Sequence, residues 1–432
     1  MAEKQLSQTA SLCPVCLRRL TAAVISREDG VYLEKHCPQH GSFQCLLWQG
    51  EAEYLAWVTQ SASLPCGKWE RPAALGCPWD CGICDQHIQD ACCVLLELTQ
   101  RCNQHCPYCY AAAGEGGTEY TLAQLAEMLD FLFRRSPEQP YNIQLSGGEP
   151  TLREDLPQII ALIRDKGFDY VQLNTNGKRL AADPAYGRLL KQAGLGAVFL
   201  QFDGMDDRIY QQLRGEALTA IKLRALAHCR AAALPVVLTM MVTADVNLQQ
   251  IGSCFRLLLD HLPWIRGLHL QPACYSGRHP GLRQGLTLQQ VLKELVAQSG
   301  GLLHQEQFSP LATGHPLCSF QGNFIRRGEQ VVSVGGSSCC WGGGADIARS
   351  RRKLAQNWGE RQPRQSTLPC WLDEGELQGF TVSAMAFQDG LSLDLERLRC
   401  CRVYVARPGN QLIPFCAHNI SSCSGEALYP RK

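Results

Sequence analysis

The sequence of 432 residues lacks the features of several protein classes. Lys and Arg together number 41 and Asp and Glu 40, and the resulting net charge of +1 argues against a nucleic-acid binder and against a polybasic membrane-surface protein. No apolar run reaches the roughly 18 residues of a membrane-spanning helix, and residues 1–10 lack the apolar segment of an export signal. We therefore expect a soluble, cytoplasmic protein with no transmembrane segment and no nucleic-acid partner.

Cysteine, in contrast, is abundant. The chain has 24 cysteines, and 45% of its residues are hydrophobic, which is enough for a core in about three domains of roughly 150 residues each. A chain of this length does not need disulfides for stability, and thiols stay reduced in the cytoplasm, so closely spaced cysteines predict metal ligands. More than half of the cysteines precede residue 110, and most of the others follow residue 317. The sequence thus predicts metal-rich segments on either side of an ordinary globular middle.

In that middle, residues 92–300, short apolar runs alternate with amphipathic segments. The runs predict strands over 94–99, 142–146, 170–174, 197–202, 236–242 and 267–271, and the segments predict helices over 121–135, 156–166, 184–193, 217–233, 248–262 and 288–298. Six such units indicate an α/β fold with a parallel sheet covered by helices. Because six units are too few for a standard eight-stranded barrel, we expect a partial (β/α)6 barrel, with a doubly wound sheet as the alternative. The site is expected at the carboxyl ends of the strands.

A Cys-x3-Cys-x2-Cys motif, Cys102, Cys106 and Cys109, follows the first predicted strand. Three thiolates on one short loop can bind three irons of a [4Fe–4S] cluster and leave the fourth iron open. A structural zinc site would need a fourth protein ligand, so a zinc knuckle completed from elsewhere is the alternative. A second motif, Ser146-Gly-Gly-Glu-Pro150, follows the second predicted strand. Its two glycines permit a close approach of the backbone to a ligand.

These two motifs in this order resemble those of the radical S-adenosylmethionine (radical SAM) superfamily over about residues 92–300. The resemblance implies that S-adenosylmethionine chelates the open iron and that one electron from the cluster cleaves it to a 5′-deoxyadenosyl radical. Cys102, Cys106 and Cys109 are then the catalytic ligands, and an electron donor such as a ferredoxin or flavodoxin is implied. The resemblance assigns the S-adenosylmethionine contacts to Tyr108, Gly147, Gly148, Glu149, Pro150, Asn174, Gln201, Asp203 and Gln271.

The first 60 residues contain a separate pair of metal-binding motifs. Cys13-Pro-Val-Cys16 and Cys37-Pro-Gln-His40 flank a segment, residues 22–34, with the pattern of a β-hairpin. This arrangement predicts a zinc-ribbon or rubredoxin-like module over residues 1–60. Three cysteines and one histidine favour zinc, and a mononuclear iron is the alternative. Cys45 competes with His40 as the fourth ligand.

A second Cys-x3-Cys-x2-Cys motif, Cys77, Cys81 and Cys84, lies in a cysteine-rich loop over residues 61–91. It predicts an auxiliary [4Fe–4S] cluster whose fourth ligand comes from Cys66, Cys93 or the carboxy-terminal part. A zinc site that includes His87 is the alternative.

Residues 301–432 form a cysteine-rich carboxy-terminal region, in which a further auxiliary cluster is expected. Its predicted ligands are Cys318, Cys401 and Cys416. Adjacent cysteines rarely bind one cluster together, so one member of each of the pairs 339–340 and 400–401 is expected to be a bystander. The segment 401–416 partly resembles half of the SPASM auxiliary-cluster domain of peptide-modifying enzymes.

The order of motifs along the whole chain is similar to that of the radical SAM group that includes tetraether lipid synthases and pterin methyltransferase-like proteins, and especially to the TrsS type of radical SAM (seleno)protein. The resemblance implies an enzyme that modifies an unactivated carbon of a small or lipid-like substrate, with one or two auxiliary clusters. A SPASM-like peptide maturase is one alternative. A non-enzymatic iron–sulfur electron carrier is another, although it would have no use for the Gly-Gly-Glu-Pro motif.

Overall fold

The computed structural model describes residues 3–60, 74–81, 84–117, 119–311, 314–334, 347–359 and 378–430. The first of these segments forms a four-stranded antiparallel sheet in the order β1-β2-β3-β4, with strands β1 (Lys4–Leu12), β2 (Arg19–Ser26), β3 (Val31–Cys37) and β4 (Gly41–Trp48). Helix α1 (Glu51–Val58) follows it. The predicted hairpin between the two metal-binding motifs is therefore present as β2 and β3.

The globular middle contains six parallel strands with helices between them. The strands are β5 (Cys93–Thr99), β6 (Asn142–Gly147), β7 (Val171–Thr175), β8 (Ala197–Gln201), β9 (Val236–Val242) and β10 (Ile265–Pro272), paired in chain order. The helices are α2 (Leu122–Arg135), α3 (Leu156–Asp165), α4 (Lys178–Ala182), α5 (Tyr186–Gln192), α6 (Asp207–Arg214), α7 (Thr219–Ala231), α8 (Ile251–Asp260) and α9 (Leu288–Gln298). The predicted α/β fold and partial (β/α)6 barrel are confirmed.

Two helices of this middle differ from the prediction. A short helix that was not predicted, α4, precedes the helix predicted over 184–193. Asp183 ends α4 directly before Pro184. Helix α6 was not predicted; Asp206 caps its start by accepting a hydrogen bond from the Arg208 backbone, and Gly215 ends it in a left-handed conformation. A cap at each end stabilises a helix that is too short for a clear apolar period.

The carboxy-terminal region extends both edges of the barrel sheet. Strand β13 (Gln378–Met385) pairs in parallel with β10, and β11 (Ser319–Arg327) and β12 (Gln330–Ser333) follow it outward. At the opposite edge, β14 (Val403–Arg407) pairs in parallel with β5, and β15 (Gln411–Pro414) pairs with β14. Helices α10 (Ile347–Trp358), α11 (Leu395–Arg399) and α12 (Phe415–Asn419) lie between or after these strands. Strands β5–β15 therefore form one eleven-stranded sheet that continues past residue 300.

The amino-terminal sheet packs against the carboxy-terminal region through polar contacts. Lys35 is 4% exposed, and its Nζ donates hydrogen bonds to the Gly390 carbonyl at 2.6 Å and to Ser11 Oγ at 2.9 Å. Ser11 Oγ in turn donates to the Leu393 carbonyl at 2.5 Å. Burial lowers the pKa of Lys35 to about 8. Since a buried amine is costly unless it is hydrogen-bonded, these contacts fix how the sheet docks.

All cysteines within the described residues are free thiols, as expected for metal ligands. The cysteines at positions 66, 339, 340 and 370 lie outside the described residues. None of the helices in the described segments has the length and apolarity that crossing a membrane requires.

Two glycines join the end of β6 to the chain that leaves β5. Gly147 has φ +125°, and a Cβ there would lie 2.3 Å from the Thr99 carbonyl oxygen. A Cβ on Gly148 would lie 2.1 Å from the Arg101 carbonyl oxygen. The backbone N–H groups of Gly148 and Glu149 donate hydrogen bonds to those same two carbonyls at 2.7 and 2.8 Å. The glycines are therefore required for this close contact between two strand ends.

We expect Gly148→Ala to destabilise the protein by about 1–3 kcal/mol, because the added methyl group displaces backbone rather than a flexible side chain. The measurement is anaerobic urea unfolding of the metal-loaded protein. Gly116→Ala is the matched control, since a Cβ at Gly116 meets nothing within 4 Å. Equal stability of the two variants would contradict this account of the motif.

Candidate active site and metal centres

The loop that carries Cys102, Cys106 and Cys109 begins directly after β5 and is held by contacts with its neighbours. The Cys102 N–H donates to the Gly114 carbonyl at 2.8 Å, and Cys109 and Arg278 exchange two backbone hydrogen bonds at 2.8 and 2.9 Å. The Arg278 side chain donates to the Cys106 carbonyl at 2.8 Å and to the Ala113 carbonyl at 3.1 Å. The chain itself therefore fixes the conformation of the loop.

The three thiols open onto a cavity of about 300 Å³ at the carboxyl end of the barrel. Most of the residues predicted to contact S-adenosylmethionine also line it, namely Tyr108, Gly147, Gly148, Glu149, Asn174, Gln201 and Gln271. Two predicted contacts, Pro150 and Asp203, are not among the lining residues. Pro150 instead begins a single 3-10 turn after β6. The structure thus brings together three cysteines from one loop and polar side chains from four strand ends.

The environment of the three thiols favours a bound cation. The pKa of Cys102 is raised to about 12. Burial is the largest cause, and the nearby Glu149 carboxylate and the other two thiols add to it. Burial likewise raises the pKa of Cys106. Thiolates are metal ligands, and positively charged iron would offset their mutual repulsion. A loop with three thiols facing one cavity fits a [4Fe–4S] cluster with one open iron.

Glu149 is 1% exposed, and its carboxylate is already bound by the chain. Oε1 accepts hydrogen bonds from the Thr151 N–H at 3.1 Å, from Thr151 Oγ1 at 2.6 Å and from Thr175 Oγ1 at 2.7 Å. Oε2 accepts one from the Asn176 N–H at 2.7 Å. The carboxylate therefore ties the end of β6 to the end of β7, in addition to lining the cavity.

The amino-terminal sheet brings its four predicted ligands together. The ligand atoms of Cys13, Cys16, Cys37 and His40 all lie within 4.8 Å of one another, which suits a tetrahedral zinc site. Although burial opposes ionisation, hydrogen bonds from the backbone of Gln39 and from His40 lower the pKa of Cys37 to about 6. Cys45 does not belong to this group; burial raises its pKa to about 12, and its thiol contacts the Leu46 carbonyl.

Comparison with known proteins agrees with this geometry. Residues 96–258 match the radical SAM superfamily, and residues 5–49 match the HMPTM N-terminal zinc ribbon domain. The chain therefore contains a radical SAM domain and, before it, a zinc ribbon domain. Its radical SAM domain implies a [4Fe–4S] cluster and S-adenosylmethionine, and its zinc ribbon indicates zinc. The chain is therefore an enzyme, and the prediction of a non-enzymatic electron carrier as an alternative is wrong.

Individual relatives cover the chain to different extents. The 7,8-dihydro-6-hydroxymethylpterin dimethyltransferase of Methanocaldococcus jannaschii is 28% identical over 95% of this chain and 93% of its own length. The PqqA peptide cyclase of Streptomyces rochei is 31% identical over 39% of this chain, which spans 44% of that relative. The crystal structure of Streptococcus suis SuiB bound to S-adenosylmethionine is 11% identical, with a TM-score of 0.42 over 50% of this chain and 49% of its own.

Asp203 of the radical SAM domain is bound to an arginine rather than facing the cavity. It is fully buried, and its carboxylate accepts hydrogen bonds from Arg214 Nε at 2.7 Å and Arg214 Nη2 at 2.9 Å. Arg214 lines the cavity, and its positive charge favours ionisation of the Cys106 thiol. Burial opposes the charge of Arg214, but Asp203 more than offsets this and raises its pKa. Asp203 therefore positions a buried cation beside the cysteine loop.

Lys222 is a second buried cation near the same loop. It is fully buried, and its Nζ donates to the Asn176 carbonyl at 2.6 Å and to Gln201 Oε1 at 3.0 Å. Burial lowers its pKa to about 7, against the influence of Asp203. It thereby orients Gln201, one of the predicted S-adenosylmethionine contacts.

Sequence reasoning did not identify Arg214, Lys222 or Arg278. Arg214 ends helix α6, which was not predicted, and Lys222 lies on α7 at a position that reads as part of a solvated face. Arg278 follows β10 in a loop with no motif. A buried charge on a helix gives no periodic signal, because helix periodicity is detected from apolar residues.

The second cysteine motif lies against the carboxy-terminal region. The Cys77 thiol and burial raise the pKa of Cys81, and Cys84 and Cys401 add smaller contributions in the same direction. The Tyr429 hydroxyl donates to the Pro78 carbonyl and accepts from the Cys81 N–H at 3.1 Å. Of the other candidates for a fourth ligand, Cys93 faces the cavity with its thiol 3.3 Å from Gln144 Oε1, and Cys66 lies outside the described residues.

The remaining predicted ligands form a second group nearby. Cys318 and Cys401 interact electrostatically with Cys416, and Cys318 and Cys401 also do so with Cys400. The His87 ring, predicted as an alternative zinc ligand, places Nε2 at 2.9 Å from the Cys401 carbonyl. Cys229 and Cys254 are fully buried in the core, whereas Cys274 lines the cavity.

We expect Asp203→Asn to destabilise the protein by about 3–5 kcal/mol, because Arg214 would stay buried without its counter-charge. Anaerobic urea unfolding of the metal-loaded variant measures the effect. Glu154→Gln is the matched control. It removes a carboxylate that pairs with Arg179 at the surface, where the Glu154 side chain is 83% exposed. That control is expected to cost less than about 1 kcal/mol. A loss for Asp203→Asn no greater than that of the control would contradict a buried ion pair.

Proposed function

We propose that this enzyme cleaves S-adenosylmethionine reductively at a [4Fe–4S] cluster held by Cys102, Cys106 and Cys109, and that it modifies an unactivated carbon of a small or lipid-like substrate. The observation that carries the proposal is the shared cavity, in which three thiols of one loop face polar side chains from four strand ends. When bound, the cluster would supply the single electron that breaks a carbon–sulfur bond of S-adenosylmethionine and yields methionine and a 5′-deoxyadenosyl radical.

The chain's own residues would hold S-adenosylmethionine between the loop and the strand ends. Carbonyl groups near Gly147 and Gly148 would accept from its ammonium group, and Glu149 would add negative charge close by. Tyr108, Asn174, Gln201 and Gln271 would contact the rest of the molecule. Asp203 is left out of this set, because its carboxylate is occupied by Arg214.

The proposed substrate class rests on how much of this chain each relative aligns with. The pterin dimethyltransferase of M. jannaschii aligns with 95% of this chain, including the zinc ribbon and the carboxy-terminal region. The peptide cyclase of S. rochei aligns with 39% of it. This difference favours a small or lipid-like substrate over the peptide-maturase alternative.

The other cysteines would bind further metal. Cys13, Cys16, Cys37 and His40 would hold zinc or a mononuclear iron in a structural site. Cys77, Cys81 and Cys84 would hold an auxiliary [4Fe–4S] cluster, and Cys401, whose charge influences the pKa of Cys81, would be the fourth ligand. Cys318 and Cys416 would then belong to a second auxiliary cluster. A cytoplasmic ferredoxin or flavodoxin would supply the electrons.

Cys106→Ala tests the catalytic assignment. The variant loses one of three ligands of the open-iron cluster, so reductive cleavage of S-adenosylmethionine is expected to fall below detection while the auxiliary iron remains. The measurement is 5′-deoxyadenosine formed with dithionite, together with iron analysis. Cys229→Ala removes a fully buried core thiol and serves as the control that keeps activity. Wild-type amounts of 5′-deoxyadenosine from Cys106→Ala would overturn the assignment.

Cys81→Ala tests the auxiliary cluster. Iron content is expected to drop by one cluster, about four irons, because the cluster loses a ligand. 5′-Deoxyadenosine formation without substrate is expected to continue, since the cavity ligands are untouched. Cys400→Ala, which removes the predicted bystander beside Cys401, should retain full iron. Unchanged iron in Cys81→Ala would show that no cluster binds there.

A further inference from the structure

Beyond the residues assigned to S-adenosylmethionine, the cavity contains a row of polar side chains deeper in the barrel. Thr239 on β9, His269 on β10, Ser383 on β13 and Gln321 on β11 are direct register partners on four adjacent strands. All four line the cavity. On β10, His269 lies two residues before Gln271 and therefore deeper than that strand end, whereas Thr239 is also the register partner of Gln201 at the end of β8, so the row begins beside the S-adenosylmethionine contacts and extends away from them across β10, β13 and β11. Four polar residues at one level inside a barrel are unusual, because barrel interiors are normally filled by apolar side chains.

Hydrogen bonding in the polar row is incomplete. His269 Nδ1 contacts Ser383 Oγ at 2.8 Å, which fixes the orientation of both side chains. Thr239 Oγ1 is buried and has no partner among the described residues. On β7, two strands from β9 in the same sheet, Gln172 is 3% exposed and lines the same cavity, and its Oε1 likewise has no partner in the described part of the chain. Buried polar groups normally find partners, so these atoms indicate where a ligand would bind.

Charge is confined to the other end of the cavity. Among the described residues, Glu149 and Arg214 are the charged side chains that line it, and both lie beside the cysteine loop. Burial lowers the pKa of His269 to about 4, so this histidine is neutral at physiological pH. Next to the polar row, the rings of Phe199 and Trp358 lie 5.7 Å apart in an edge-to-face arrangement. The deep end thus offers hydrogen-bonding groups and aromatic edges without a counter-charge.

We infer that Thr239, His269, Ser383 and Gln321, together with Gln172 on β7, form the substrate subsite, and that it takes an uncharged flat ring that brings its own N–H or O–H donors. This inference rests on the proposed function, because S-adenosylmethionine must occupy the end beside the cysteines. An alkyl chain in the subsite would leave Thr239 and Gln172 without partners, and a carboxylate would be buried without a cation. Of the two substrate classes above, the subsite therefore selects the small polar molecule.

Three ring compounds of similar size serve as probes: uncharged 2-pyridone, anionic benzoate and apolar toluene. Their dissociation constants are measured by ligand-observed NMR on the anaerobically reconstituted enzyme with S-adenosylmethionine bound. We expect 2-pyridone to bind at least about tenfold more tightly than benzoate or toluene. Thr239→Val and Gln172→Leu, which remove one polar group each at similar volume, should each weaken 2-pyridone at least about tenfold. Thr219→Val makes the same change outside the cavity and should leave binding unchanged.

The outcomes separate this inference from the proposed function. The wild-type preparation is first shown to form 5′-deoxyadenosine; failure there overturns the proposed function whatever the probes do. If that preparation is active but toluene or benzoate binds at least as tightly as 2-pyridone, or no probe binds, the subsite is not one for uncharged polar rings. The same conclusion follows if neither cavity variant weakens 2-pyridone. Thermal unfolding of each variant confirms that it is folded, and the two independent variants keep the test decisive if one is not.

Discussion

The two motifs of the active site are held together by two backbone hydrogen bonds, from Gly148 to the Thr99 carbonyl and from Glu149 to the Arg101 carbonyl. They join the end of β6 to the first residues of the cysteine loop. Glu149 then carries the connection to β7 through Thr175 and Asn176. Any change in the packing of the first three barrel strands would therefore move the three thiols.

Much of this arrangement could be predicted from the sequence, because its parts are local. Six apolar runs gave the barrel strands, and β9 and α9 have the predicted bounds. The four ligands of the zinc ribbon are close in sequence, and turns between antiparallel strands bring such residues together. The predictions were less complete where the role of a residue depends on a contact with another element of the fold. Asp203 follows a strand end, as a ligand contact would, and only the position of Arg214 shows that its carboxylate is occupied.

The carboxy-terminal region shows the same limit of sequence reasoning. Its cysteines suggested a separate metal-binding region, and nothing in the local sequence of β13 or β14 shows that they pair with β10 and β5. Parallel pairing between residues more than 100 positions apart depends on the whole sheet and leaves no local pattern. The polar row has the same origin. Thr239 and His269 look like ordinary strand residues, and only the register of four strands places them side by side.

The pairing of β14 with β5 has a consequence for how the enzyme is made. Residues 403–419 supply Val403 and Phe415 to the cavity wall, and Phe415 packs on Tyr110, next to Cys109, with ring centroids 5.2 Å apart. The cysteine loop is synthesised some 300 residues earlier, yet its surroundings are complete only after this segment has been translated and has folded back. Insertion of the cluster that the radical SAM domain implies would therefore follow translation, and until then the thiols of a growing chain would depend on reducing conditions for protection.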